Sequence, residues 1–317
     1  MRAVIKLNMM VCFAAIMVLC LVGCTDSGGS GNASRAAARP PADRPPVDRS
    51  AGILVPESPE IEAVKNEKAV LDYSNASSGY ICAKSFIAPT MVKVLVEVSG
   101  VQYQYSIVEN DGFIVIPLSC GDGDYAVSLW ENVFQDQYAA IFSQEIQVSL
   151  SDEFLPFLYP NQFVEFNAGN EAIAVGAELT SEAGGVVETI EDIYDYVISN
   201  IEYDFEKAAT VGPGYLPSID ETLRTKKGIC FDYAVLTAAM LRARDVPTKL
   251  VIGYAGPAYH AWIEAYSSEE GWIRKEIYFD GRGYVLMDPT FASAGNGGTD
   301  MTAAIGDGNH YDPRFYY

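Results

Sequence analysis

The chain has 317 residues and a formal net charge of −21, from 42 acidic against 21 basic side chains, with only two histidines. A surface this acidic repels nucleic acid and anionic lipid, which excludes nucleic-acid partners and any purely electrostatic hold on a membrane. His260 and His310 leave a Cys/His zinc site short of ligands, and no EF-hand loop is present, so the sequence calls for no metal and no other cofactor.

Arg2 and Lys6 precede an apolar run from Met9 to Leu21, shorter than the ~20 residues that span a bilayer. The run ends in Leu21-Val-Gly-Cys24, which resembles the lipobox of bacterial lipoprotein signal peptides. That resemblance implies a signal peptide over residues 1–23, cleavage before Cys24, and acylation of the Cys24 thiol. Diacyl chains would hold the protein outside the cytoplasm, anchored by lipid to a bacterial cell membrane. A plain signal peptide and an uncleaved anchor are the competing readings. Residues 24–60 read as a disordered tether, flexible through Ser27-Gly-Gly-Ser-Gly-Asn32 and stiffer through Arg39-Pro-Pro-Ala-Asp-Arg-Pro-Pro46.

Residues 61–155 carry short alternating runs with a turn signal about every ten residues. They include Met91–Val98, Gln102–Val108, Phe113–Pro117 and Tyr125–Trp130, separated by Ser-Gly, Asn-Asp-Gly and Gly-Asp-Gly-Asp. This spacing predicts an all-β, immunoglobulin-like sandwich that serves as a spacer or as a binding module. Ile114, Ile116, Leu118 and Cys120 share one strand face, so Cys120 points inward. An extracellular address permits a Cys82–Cys120 disulfide, and two separate buried thiols are the other possibility. Residues 151–185 connect this part to the next.

Val187, Ile190, Ile193, Tyr194, Val197, Ile198 and Ile201 then mark an amphipathic helix. Tyr203-Asp204 closes it, and the loop Val211-Gly-Pro-Gly-Tyr215 follows. After Gly228, Phe231, Ala234, Ala238 and Leu241 recur at helical spacing, which puts Cys230 at a helix N-terminus. There the unpaired N–H groups and the helix dipole favour a thiolate. His260 opens the alternating run His-Ala-Trp-Ile-Glu-Ala-Tyr, and Asp288 ends Tyr284-Val-Leu-Met-Asp288 before Pro289. Antiparallel pairing of these two strands would bring histidine beside aspartate. The tail is Gly-rich from Gly295 and ends in aromatics, so it should dock back onto the domain.

Gly228-Ile-Cys230, His260-Ala-Trp262 and Asp288-Pro-Thr290, in that order, resemble the motifs of the transglutaminase-like superfamily, a branch of the papain-like cysteine enzymes. The resemblance covers roughly residues 186–292. It implies an α+β domain over 170–317, with a catalytic helix packed on an antiparallel sheet. It also implies a nucleophile at Cys230, a general base and acid at His260, and an orienting carboxylate at Asp288. The stretch Ile273–Gly283 departs from the family pattern as an added strand and turn. The chemistry so implied is attack on a peptide or glutamine amide through an acyl-thioester, giving proteolysis or deamidation with water and cross-linking with an amine. The substrate is a peptide or protein outside the cell. The Cys230 backbone N–H is one expected oxyanion donor, and Tyr203 is a guess for a second. A non-catalytic surface binding module with the same fold is the rival reading.

Overall fold

The computed structural model describes residues 4–6, 52–87, 89–108, 112–255, 258–273, 277–278, 284–285 and 311–317. Cys24, Asp288 and nearly all of the leader and tether fall outside these residues.

The first half is all β. Strands β1 (Val4–Lys6), β2 (Ala63–Lys65), β3 (Ala69–Asp72), β4 (Tyr80–Ser85), β5 (Val92–Val98), β6 (Val101–Ile107), β7 (Ile114–Pro117), β8 (Gly123–Phe134) and β9 (Gln137–Val148) form two antiparallel sheets. Their orders are β1-β9-β8-β5-β6 and β2-β3-β4-β7. Alternation decides the packing. Leu71, Ile81 and Ile116 of the smaller sheet share one core with Val94, Tyr105 and Leu129 of the larger. Ser99 and Gly100, both at positive φ (50° and 77°), make the two-residue turn that sets the β5–β6 register.

The Cys82–Cys120 disulfide is not formed; both thiols are free. Cys82 lies between the core residues Ile81 and Ala83 and therefore projects from the other face of β4, where its Sγ is 3.7 Å from the Glu57 carbonyl. Cys120 does point inward, with its Sγ 3.4 Å from the Tyr103 hydroxyl. A strand side chain on one face cannot bridge to a partner on the other without turning the strand over.

The second half comprises α1 (Glu171–Leu179), α2 (Val186–Asn200), β10 (Glu202–Tyr203), α3 (Phe205–Thr210), α4 (Ile219–Thr225), β11 (Lys227–Gly228), α5 (Cys230–Arg242), β12 (Thr248–Ala255), β13 (Ala258–Ser267), β14 (Gly271–Ile273), β15 (Ile277–Tyr278), β16 (Tyr284–Val285) and β17 (Tyr311–Tyr316). Every residue of α5 is buried. Helices α1, α2 and α4 pack on it, and so do β12 and β13 of an antiparallel sheet ordered β14-β13-β12-β17. Along β13, Ala261, Ile263 and Ala265 join the core that contains α5.

Two expectations about the sheet meet different outcomes. The tail does dock: β17 pairs antiparallel with β12, and Tyr317 is buried. The pairing of β13 with the Tyr284 strand is not seen among the described residues. The tight turn after Ser267 folds the chain back at once, so β14 takes that edge of β13, and β16 pairs with β15 instead.

Strand β17 also joins the two halves. Tyr317 stands edge-on to Tyr103 and Tyr105, at 5.6 and 6.0 Å between centroids. The Ser119 hydroxyl donates to the Tyr316 carbonyl at 2.6 Å. From α5, the buried Arg242 guanidinium donates to the carbonyls of Thr248 (2.9 Å), Tyr159 (2.9 Å) and Tyr317 (2.6 Å). One side chain thus ties helix, sheet, tail and the connecting segment together.

Candidate active site

Cys230 is the first residue of α5, and Ile229 before it holds extended backbone (φ −94°, ψ 176°). Ile229 has no side-chain acceptor to cap the helix. The cap comes from within the helix, where Asp232 reaches back and its Oδ2 accepts the Ile229 N–H at 2.8 Å. The first intrahelical bond runs from the Tyr233 N–H to the Ile229 carbonyl at 3.1 Å. Early N–H groups of a helix have no partner in their own helix, so the Cys230 backbone is disposed to donate to a developing oxyanion.

Asp232 was not singled out in the sequence, yet it organises this corner. It is fully buried. Besides the Ile229 N–H it accepts from Lys207 Nζ at 2.9 Å and from the Tyr215 hydroxyl. Burial first, and then the hydrogen bond to Asp232 and its charge, push the Tyr215 hydroxyl far above its ordinary pKa, so Tyr215 stays a donor. Lys207 lies 4.4 Å over the Tyr215 ring. The ammonium of Lys207 offsets the buried charge of Asp232 in the first turn of α5. The available signal was Asp at the third helical position, where an acidic side chain commonly reaches back to the cap.

The local backbone explains why Gly228 precedes the cysteine. A Cβ there would stand 2.6 Å from the Asp232 Cβ, well inside contact distance. Gly228 also pairs in parallel with Tyr203 through β10 and β11. Tyr203 therefore flanks the turn before Cys230, its ring edge-on to Phe205 at 4.9 Å. Tyr203 is not among the described residues that line the cleft, whereas Tyr215 is.

His260 sits on β13 opposite Gly253 of β12, and Gly253 in turn lies beside Pro313 of β17. A Cβ at Gly253 would be 2.2 Å from the Asp312 carbonyl. Glycine thus lets β17 close in, which brings Tyr311 next to the imidazole (6.4 Å between centroids) and to Trp262 (5.1 Å). Strand alternation puts His260 and Trp262 on one face, their rings near parallel at 6.2 Å. The imidazole is buried, at 7 % exposure, and the thiol residue is at 9 %.

Cys230 and His260 line one cleft. Its other walls come from the 213–216 loop, from β17 and from β6 of the sandwich. The structure thus brings two of the three expected triad residues to the same cleft, and Asp288 lies outside the described residues. Among those residues no group of three or more His, Cys, Asp or Glu side chains could hold a metal ion.

Residues 173–289 match the family model of the transglutaminase-like superfamily. The chain carries a transglutaminase-like domain. A UPF0252 protein of Methanocaldococcus jannaschii is 43 % identical over 58 residues, a stretch covering 17 % of this chain and 16 % of that relative, a small part of its length. Among solved structures, a protein of Cytophaga hutchinsonii assigned as a cysteine protease is 17 % identical over 81 % of this chain and 74 % of its own, with a TM-score of 0.40. The periplasmic domain of TgpA from Pseudomonas aeruginosa is 16 % identical over 80 % of each chain, with a TM-score of 0.34. A transglutaminase-like domain supports cysteine-protease or transglutaminase-type activity in general terms.

Proposed function

We propose that this protein is an extracytoplasmic cysteine enzyme that transfers acyl groups from peptide or glutamine amides through a thioester on Cys230. The observation that carries the reading is the presence, in one cleft, of Cys230 at the head of a buried helix and the buried imidazole of His260. In this mechanism His260 accepts the thiol proton as Sγ attacks the amide carbonyl, and the Cys230 N–H donates to the oxyanion. Collapse of the tetrahedral species breaks the C–N bond, and His260 returns the proton to the leaving amine. Water then releases acid, or a primary amine takes the acyl group. Asp288 acts as the acceptor that fixes the imidazole tautomer. Lipid on Cys24 holds the enzyme at the outer face of a bacterial membrane, and the sandwich, in this reading immunoglobulin-like, stands between anchor and active site.

The test is intact-mass analysis of wild type and Cys230→Ala after incubation with casein and a labelled primary amine. Cleavage, a deamidation increment or amine incorporation that vanishes in Cys230→Ala supports the enzyme. No covalent change in any arm would leave a binding module. In cells, detergent-phase partitioning that is lost in Cys24→Ala supports the anchor, and unchanged partitioning sinks it.

A further inference from the structure

The cleft that holds Cys230 has along one wall a strand edge with no neighbouring strand among the described residues. Strand β6 is the last strand of its sheet, and all of its ladder partners are on β5. In an antiparallel ladder the backbone groups of successive residues point alternately toward the partner strand and away from it. The two-residue turn at Ser99-Gly100 makes Val98 and Val101 the closing pair. Val101, Tyr103, Tyr105 and Ile107 therefore bond inward to β5, and Gln102, Gln104 and Ser106 face outward. The outward set is verified at Ser106, where the Gln162 side chain accepts the Ser106 N–H at 3.3 Å and donates to its carbonyl at 2.7 Å. A side-chain amide here does what a neighbouring strand would do. Beyond it the imitation stops: the backbone N–H and C=O of Gln102 and Gln104 have no partner among the described residues. Both residues line the same cleft as Cys230.

We infer that the edge of β6 is the substrate-binding strand of this enzyme, and that it takes an extended polypeptide by strand addition and leads it to Cys230. The inference rests on the reading of Cys230 as an acyl-accepting thiol and adds the substrate class, an unfolded or locally extended chain. Strand addition derives affinity from main-chain hydrogen bonds, so it tolerates many sequences. Open edges on stable folds are usually blunted by charge, proline or a covering element. Here no charged side chain or proline lies between Val101 and Ile107, and among the described residues the one side chain that hydrogen-bonds the outward backbone is Gln162, at the far end. A glutamine on the surface of a globular protein offers no extended stretch around it to pair with β6, which separates this mode from recognition of such a side chain alone.

The test uses Gln104→Pro, which removes one outward N–H at a position where an edge strand tolerates proline, and Gln104→Ala, which keeps it. The probe is reduced, carboxymethylated casein, with 4-nitrophenyl acetate as a substrate too small to reach β6. Gln104→Pro should raise KM for casein about five- to tenfold, the worth of roughly one net hydrogen bond plus the ring's clash with an added strand. That rise should exceed any change in kcat or in ester turnover, and Gln104→Ala, which keeps the N–H, should fall well short of it. Binding of fluorescein-labelled casein to Cys230→Ala and to Cys230→Ala/Gln104→Pro reads the same loss without catalysis. An inactive wild type would thus sink the functional reading while this arm still decides the strand edge. If the proline variant fails to fold, backbone N-methylation along a casein peptide, assayed on unaltered protein, should weaken binding at every second residue. Equal KM and Kd in a folded Gln104→Pro, a methylation profile without period two, or a β6-dependent dimer of this chain with unchanged casein affinity would each overturn the inference.

Discussion

Asp232→Asn tests the corner on which Cys230 stands. The carboxylate is fully buried and accepts from three donors: the Ile229 N–H, Lys207 Nζ and the Tyr215 hydroxyl. Asparagine keeps the shape but has one acceptor oxygen, so whichever way the amide is turned its NH2 meets a donor. Hydrogen bonds to a charged group contribute about 1.5–3 kcal/mol each, and breaking a buried ion pair costs about 3–5 kcal/mol. Lys207 is 27 % exposed and can turn its ammonium to water, which argues for the lower part of that range. We expect a loss of about 2–4 kcal/mol, read as a lower urea midpoint at unchanged slope, followed by fluorescence of Trp262 and Trp272. Adding Lys207→Met to Asp232→Asn should cost less than the sum of the two single changes, because the stranded charge is gone. A loss under about 1 kcal/mol, or strict additivity, would refute the claim that Asp232 is the electrostatic and capping centre of the cysteine turn.

Other outcomes follow from the same geometry. Arg242→Met removes three hydrogen bonds from a buried guanidinium to the Thr248, Tyr159 and Tyr317 carbonyls and should destabilise the protein by ~3 kcal/mol or more in urea unfolding; a change within ~0.5 kcal/mol would mean those bonds hold nothing together. Gly253→Ala must push β17 from β12, so it should cost ~1–3 kcal/mol and shift Trp262 emission as Tyr311 moves away; unchanged stability and emission would show that the strands need no glycine there. Unreduced, denatured protein should titrate with both Cys82 and Cys120 as free thiols, and recovery of a Cys82–Cys120 linked peptide would contradict this. In the folded protein Cys82 should resist alkylation at pH 8, since burial and then Asp72 push its pKa from 9.0 up to about 12; because that pKa is raised on folding, its contribution to stability is present below pH 9 and fades as pH climbs toward 12. Asp288→Asn should lower turnover by ~10¹–10³ with the fold intact, and an unchanged Cys230 alkylation profile against pH would make Asp288 a turn residue only.

How much of this was legible in the chain depends on how far apart the interacting residues are. Helix α5, the amphipathic α2 and strand β13 could be read directly, because apolar period and terminal residues are local signals. So could the alternating strands β5 and β6 and the turn between them. Short α1, α3 and α4, and the second arm of the long β8–β9 hairpin, escaped for want of a strong period. Cys230 and His260 were legible as motifs, each in its local setting.

What the sequence determined by itself was therefore element type and the chemistry of single residues, since both are set within a few residues of backbone. The tertiary structure decided who meets whom. For Cys82 and Cys120 a disulfide and two separate thiols were both open until the alternation of β4 turned Cys82 away from the core against which Cys120 packs. Asp232 looked like one more acid on a charged chain until Lys207, 25 residues earlier, and Tyr215, 17 residues earlier, closed on it. The tail was expected to dock, but not where. Only its pairing with β12 brings Tyr311 to His260 and seats Phe315 and Tyr317 against β6, making the edge strand of the sandwich a wall of the cleft that holds Cys230 and His260. Such contacts depend on strand order and on which edge is left open, and those are properties of the assembled sheets rather than of any segment.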